Sequence, residues 1–129
     1  MGFIKEKAVN NRKSEMRAQL FTVYPDETST VTQITSRATG VTLSATAGQI
    51  TTDTTSLAAA AEATFTVTNT YVTAKTVPVV ALASGAAATT NVFVSAVAAG
   101  SFDITVANLH ASTAEDGALV INFALIDVN

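Results

Sequence analysis

Thr64-Phe65-Thr66-Val67-Thr68-Asn69 alternates without a break, with Phe65 and Val67 on one side and Thr64, Thr66 and Thr68 on the other. Successive side chains of an extended chain point to opposite faces, so this is the signature of a strand with one buried and one solvated side. Thr suits such a position because its branched Cβ is stiff in a helix and sits well on a pleated surface. The same period returns at Ser101 to Ala107, where Phe102, Ile104 and Val106 should face inward and Ser101, Asp103 and Thr105 outward. That stretch and Asn91 to Val97 flank Ala98-Ala99-Gly100, which reads as a hairpin with Gly100 supplying a positive φ.

Outward from these segments the pattern continues. Val41-Thr42-Leu43-Ser44 and Gln49-Ile50-Thr51-Thr52 are short strands around Gly48. Val77 to Leu82 is a continuous apolar run with Pro78 near its start, which suits an early-strand or edge position. Glu115-Asp116-Gly117 reads as the last turn. In the closing strand Leu119, Ile121, Phe123 and Leu125 interleave with Val120, Asn122, Ala124 and Ile126. That strand is apolar on both sides, so one face should meet the core and the other a second subunit or a covering loop. Residues 51–63 read either as a helical turn capped by Ser56 or as an ordered loop. About eight strands with short connections predict an all-β fold, an antiparallel β-sandwich of jelly-roll-like type spanning residues 40–129. Ahead of it, residues 1–39 read as an extended N-terminal arm and a crossing segment or edge strand, with Val31 and Ile34 as the anchors of the latter.

Charge divides the 129-residue chain in much the same way. Residues 1–17 hold five cations against two acids, a net +3, whereas the rest of the chain holds Arg37 and Lys75 against eight acids, a net −6. The body is dominated by Ala and Thr and its surface should be poor in charge, which is easier to tolerate where a partner covers it. The basic lead admits three readings: contact with nucleic-acid phosphates, docking on an acidic protein surface through its cations with Phe3, Ile4, Val9 and Met16 as apolar anchors, or a solvated tail. With two acids among the cations and Phe3 as its single aromatic residue, the second is preferred and no nucleic-acid partner is expected. Neither a signal peptide nor a membrane-spanning run is expected, since Lys5, Glu6 and Lys7 interrupt the start and no apolar run approaches ~18 residues.

The residues that carry chemistry are few. There is no cysteine, so thiolate metal sites, cysteine nucleophiles and disulfides are excluded. His110 is the single histidine and lacks the usual partners of a base or a metal ligand; a solvated loop side chain is its expected role. The acids are scattered, and the adjacent pairs Asp26/Glu27 and Glu115/Asp116 read as turn formers. No calcium-loop pattern occurs and the six glycines are isolated, so neither a metal nor a phosphate cofactor is expected. With no Trp and only Tyr24 and Tyr71, a sugar-stacking platform is poorly supplied.

Gly48-Gln49-Ile50-Thr51-Thr52, Ala63 to Asn69, Ala99 to Thr105 and Val120 to Ile126 resemble, in texture, small virion proteins of tailed bacteriophages. Within that group the chain is most similar in character to capsid decoration, or cement, proteins. The resemblance covers residues 40–126 and leaves the basic lead outside. It implies a non-enzymatic β-sandwich subunit, a homotrimer, that clamps neighbouring copies of the major capsid protein on the capsid exterior. On that reading the arm residues Phe3, Ile4, Lys5, Lys7, Arg12, Lys13 and Arg17 would face the capsid, and Val120, Asn122 and Ala124 would lie at the subunit interface. The alternative is a tail-fibre or head-fibre module that adheres to a host glycan or receptor.

Overall fold

The computed structural model describes residues 29–128. They form eight strands: β1 (Thr30–Thr32), β2 (Val41–Thr42), β3 (Ala47–Thr51), β4 (Glu62–Thr68), β5 (Val77–Ser84), β6 (Thr90–Ala98), β7 (Ser101–Asn108) and β8 (Val120–Ile126). No helix occurs among the described residues: Thr51 ends β3, Glu62 and Ala63 open β4, residues 52–61 between them are a loop, and Ser56 caps nothing. The arm residues Phe3, Ile4, Lys5, Lys7, Arg12, Lys13 and Arg17 lie outside the described residues.

The strands make two four-stranded sheets, β1-β3-β8-β5 and β2-β4-β7-β6. Six of the seven connections cross from one sheet to the other; the exception is the β6–β7 hairpin, whose turn at Ala99-Gly100 places Gly100 at φ +86°. The purely antiparallel arrangement expected from the sequence is not what forms. β1 runs parallel to β3 and β2 runs parallel to β4, so both sheets are mixed. The cause is the crossing itself: two parallel neighbours need a connection that returns the chain to its starting end, and β2 serves as that crossover for β1 and β3, as β3 does for β2 and β4.

The core lies between the sheets. Ile50, Ile121 and Phe123 from the first sheet meet Phe65, Val67, Phe102, Ile104 and Val106 from the second, with Leu57, Val72 and Leu119 closing the ends. The rings of Phe102 and Phe123 pack across the layers at a centroid distance of 5.6 Å and a tilt of 60°, within the range of favourable aromatic pairs. Phe65 and Val67 are buried while Thr64, Thr66 and Thr68 are exposed, as the alternation requires. On β7 the inward set is as expected, but Thr105 is also buried. Its hydroxyl shares hydrogen bonds with Thr64 (2.8 Å) and Ser95 (2.8 Å) on the two flanking strands, which cover it from either side.

The segment before β2 is anchored differently from the expectation. Val31 packs on the core from the edge strand β1, but Ile34 is 69% exposed. The anchors are polar instead: Gln33 and Arg37 are buried. Gly48 sits inside β3, where a Cβ would come within 2.8 Å of Leu43, 2.9 Å of Phe123 and 2.9 Å of the Ser29 carbonyl oxygen. Gly48→Ala is therefore expected to lower stability by about 1–3 kcal/mol through overpacking, measurable by urea unfolding.

Candidate functional site

The most distinctive surface is the outer face of the β1-β3-β8-β5 sheet. None of these four strands contains an ionisable residue. Cross-strand register builds the face in rows: Thr30, Gln49, Asn122 and Ala81; then Ala47, Ala124 and Val79; then Ile126 beside Val77. The side chain of Gln49 donates to Asn122 Oδ1 at 2.9 Å, confirming that both point the same way. Val79 and Ile126 are 48% and 54% exposed. Val120, Asn122 and Ala124 thus share one outward row along β8, a central strand, with Asn122 exposed and the other two half-buried. The opposite side of the same strand, Ile121 and Phe123, is core.

The outer face of the other sheet is chemically different. Thr66 donates to Asp103 at 2.7 Å, and Thr64, Thr105 and Ser95 form a chain of hydroxyls. It carries Glu62 and Asp103 and satisfies many of its own polar groups, so it is an ordinary solvated face.

One end of the molecule holds a buried polar node that local sequence reading missed. The Arg37 guanidinium donates to the carbonyl oxygens of Thr55, Glu115 (3.1 Å) and Gly117 (2.7 Å) and to Thr52 Oγ1 (3.2 Å). Gln33 holds the same segment, donating to the carbonyl oxygens of Arg37 (2.9 Å) and Thr39 (2.7 Å) and accepting from the Asp53 amide (3.1 Å). Glu115 is fully buried and exchanges backbone hydrogen bonds with Leu57 at 2.9 Å in both directions. Its carboxylate accepts from the amides of Ala87 (3.0 Å) and Ala88 (3.0 Å) and from Thr90 Oγ1 (2.5 Å). Burial pushes the Glu115 carboxyl up, but these hydrogen bonds, with the Gly117 amide, outweigh it and hold the group below its ordinary value. Burial draws the Arg37 guanidinium down, against the opposing pull of Glu115, Asp53 and Asp116. The expectation that Glu115 and Asp116 are both exposed turn formers is therefore corrected: Asp116 is exposed and accepts from Ser56 Oγ, whereas Glu115 turns inward.

Arg37 had a visible signal in the sequence, being the single cation between Arg17 and Lys75. A lone Arg in so uncharged a body is more readily explained by internal hydrogen bonding than by solubility, because its planar fork can serve several carbonyls at once. Every buried side-chain polar atom among the described residues has a partner, so the node closes on itself as a structural clasp.

His110 follows β7 and is half-buried. Its Nδ1 accepts from the amides of Ser112 (3.1 Å) and Thr113 (2.9 Å), which assigns the proton of the neutral ring to Nε2. The Asp53 carboxylate accepts from the Thr55 hydroxyl and amide, which hold it below its usual range at the surface. Among the described residues no three His, Cys, Asp or Glu side chains gather as a metal site, and no helix is long and apolar enough to cross a membrane. No known protein family, curated protein or solved structure matches this chain.

Proposed function

We propose that this chain is a non-enzymatic structural protein of a phage virion, which binds the capsid exterior as a homotrimer and cements neighbouring major capsid subunits. The observation that carries the reading is the uncharged sheet, whose outer face leaves Val77, Val79 and Ile126 in solvent. An exposed apolar face is stabilised when a partner removes it from water, and at ~25 cal/mol per Å² even a modest contact is worthwhile when several copies bind together. In this reading Val120, Asn122 and Ala124 belong to the subunit contact. Phe3, Ile4, Lys5, Lys7, Arg12, Lys13 and Arg17 supply the capsid contact. The alternation of the chain between two sheets supports a jelly-roll-like description of the sandwich.

Binding only the expanded shell would stabilise that shell by mass action. The test is co-sedimentation with expanded and unexpanded shells of the cognate major capsid protein. Binding to the expanded form alone is expected; a protein that stays in the supernatant with both would refute the reading. Replacing Lys5, Lys7, Arg12, Lys13 and Arg17 by Ser should weaken attachment at least tenfold at low salt and reduce its salt dependence, with the fold unchanged. Equal binding by that variant would remove the arm from the mechanism.

A second reading, a fibre module for host adhesion, draws on the loop cluster at one end. There the 53–61, 85–89 and 109–118 loops are tied together by Glu115, His110 and Leu109, and the Leu109 side chain is exposed. Binding of the purified protein to host cells but not to shells would favour it.

A further inference from the structure

The large apolar side chains left in solvent on the β1-β3-β8-β5 sheet gather at one end of its outer face. Val79 stands level with Ala124 and Ala47, and Val77 stands opposite Ile126. The exposed Val77, Val79 and Ile126 therefore share the end of the face where β3 and β5 begin and β8 finishes. β1 runs parallel to β3 with Thr30 level with Gln49, and the Ser29 carbonyl oxygen accepts from the Gln49 amide at 2.9 Å. The chain ahead of β1 thus enters the sheet from that same end. The described residues begin there, at the buried Ser29, with residues 1–28 before it. Within residues 1–28 the longest uncharged run is Ala18 through Pro25, which holds Leu20, Phe21, Val23 and Tyr24.

We infer that residues 20–24 of the same chain lie across this end of the face, over Val77, Val79 and Ile126. Chain length permits it. At ~3.3 Å per residue the five steps back from Ser29 to Tyr24 span about 16 Å, and at ~4.8 Å per strand β5 lies about 14 Å across the sheet from β1. Phe, Val, Thr and Tyr suit an extended chain, and alternation turns apolar side chains to the sheet whichever side faces it, Phe21 with Val23 or Leu20 with Tyr24. The tether selects this occupant over a second copy. Pro25-Asp26-Glu27-Thr28 holds the segment near the face at an effective concentration on the order of mM, without the translational freedom that a separate molecule loses. Residues 1–17 fit the face poorly, since its strands offer no counter-charge to their five cations and two acids. The inference does not rest on the proposed function. In a trimer of the proposed kind, neighbours would meet the outward side of residues 20–24 beside Val120 and Asn122.

The test is limited chymotrypsin digestion of the full-length protein, read by mass spectrometry at Leu20, Phe21 and Tyr24. A covered segment is cut slowly. Val79→Asp, which puts a charge at an exposed position of the face, should speed cleavage at these sites at least tenfold while circular dichroism shows the sheet content unchanged. Ile126→Asp should act in the same direction should Val79→Asp fold poorly. Thr66→Lys, at an exposed position on the outer face of the other sheet, should be cut as slowly as wild type. Equal rates in wild type and the folded Val79→Asp and Ile126→Asp variants would overturn the inference. The chain has no cysteine, so Val23→Cys/Val79→Cys offers one pair of thiols to a short bis-maleimide. A link within one chain, running at 13.2 kDa, is expected. Links between chains, which would give the face to a second copy, or no link at all, would overturn the inference too. Capsid binding and solution mass are measured separately, so failure here is distinguishable from failure of the decoration reading.

Discussion

Replacing Arg37 by methionine is expected to lower the unfolding free energy by about 3–4 kcal/mol and the melting temperature by roughly 15–25 °C. Methionine fills a similar volume, so packing loss is small and the effect is electrostatic. The variant leaves the carbonyl oxygens of Thr55 and Gly117 without their Arg37 donor, and the Glu115 carbonyl oxygen and Thr52 Oγ1 with one partner fewer. Thr52 and Glu115 are buried and Gly117 is half-buried, and an acceptor that loses its donor away from water costs its desolvation. Arg37→Lys should recover only part of the loss, because one ammonium cannot reach carbonyls that a planar fork reaches together. Chemical unfolding of the three proteins measures this directly. A loss below about 1 kcal/mol in Arg37→Met would mean that the clasp contributes little beyond the hydrophobic core.

Glu115→Gln is expected to destabilise the protein by about 2–3 kcal/mol at neutral pH, and by less in acid. A carboxylate offers acceptors alone, matching the Ala87 and Ala88 amides and the Thr90 hydroxyl; an amide must direct its NH₂ toward one of these donors. Because the folded protein holds the Glu115 carboxyl below its ordinary value of 4.5, the unfolded chain takes up the proton first as pH falls. The contribution of Glu115 is therefore complete above the ordinary value and is lost as pH drops through the folded one. The surface Asp53 shifts in the same direction and adds to the acid sensitivity of the wild type. Urea unfolding of both proteins at neutral pH and at successively lower pH should show the two stabilities converging. Curves that stay parallel would mean that the buried carboxylate is not the source of the acid dependence.

The elements most legible in the sequence were those whose signal is local. Thr64 to Asn69, the hairpin through Gly100 and the closing strand each carry their two-sided pattern within a short stretch, and each forms as read. The parallel placement of β1 and β2 was not legible, because it depends on where the chain returns after crossing to the other sheet. The inward turn of Glu115 was hidden for a similar reason. Glu115-Asp116-Gly117 has the composition of a turn, and the donors that pull Glu115 inside, at Ala87, Ala88 and Thr90, lie far earlier in the chain. Thr105 obeys the period-two pattern yet is buried, since hydroxyls on both neighbouring strands cover it.

The proposed interaction surface divides in the same manner. That Val120, Asn122 and Ala124 share an outward face follows from alternation alone, and they do share it. That β5 and β6 become the two long edge strands of one flank follows only from strand order, although the uncharged run from Thr76 to Phe102 that supplies them is plain in the sequence. Charge avoidance was readable; its concentration on two long edges was not.

The central claim is that this fold is built for assembly, and the most direct test is the solution mass of the full-length protein by light scattering. The account predicts a homotrimer at three times 13.2 kDa. A single species of 13.2 kDa that persists at high protein concentration would contradict it.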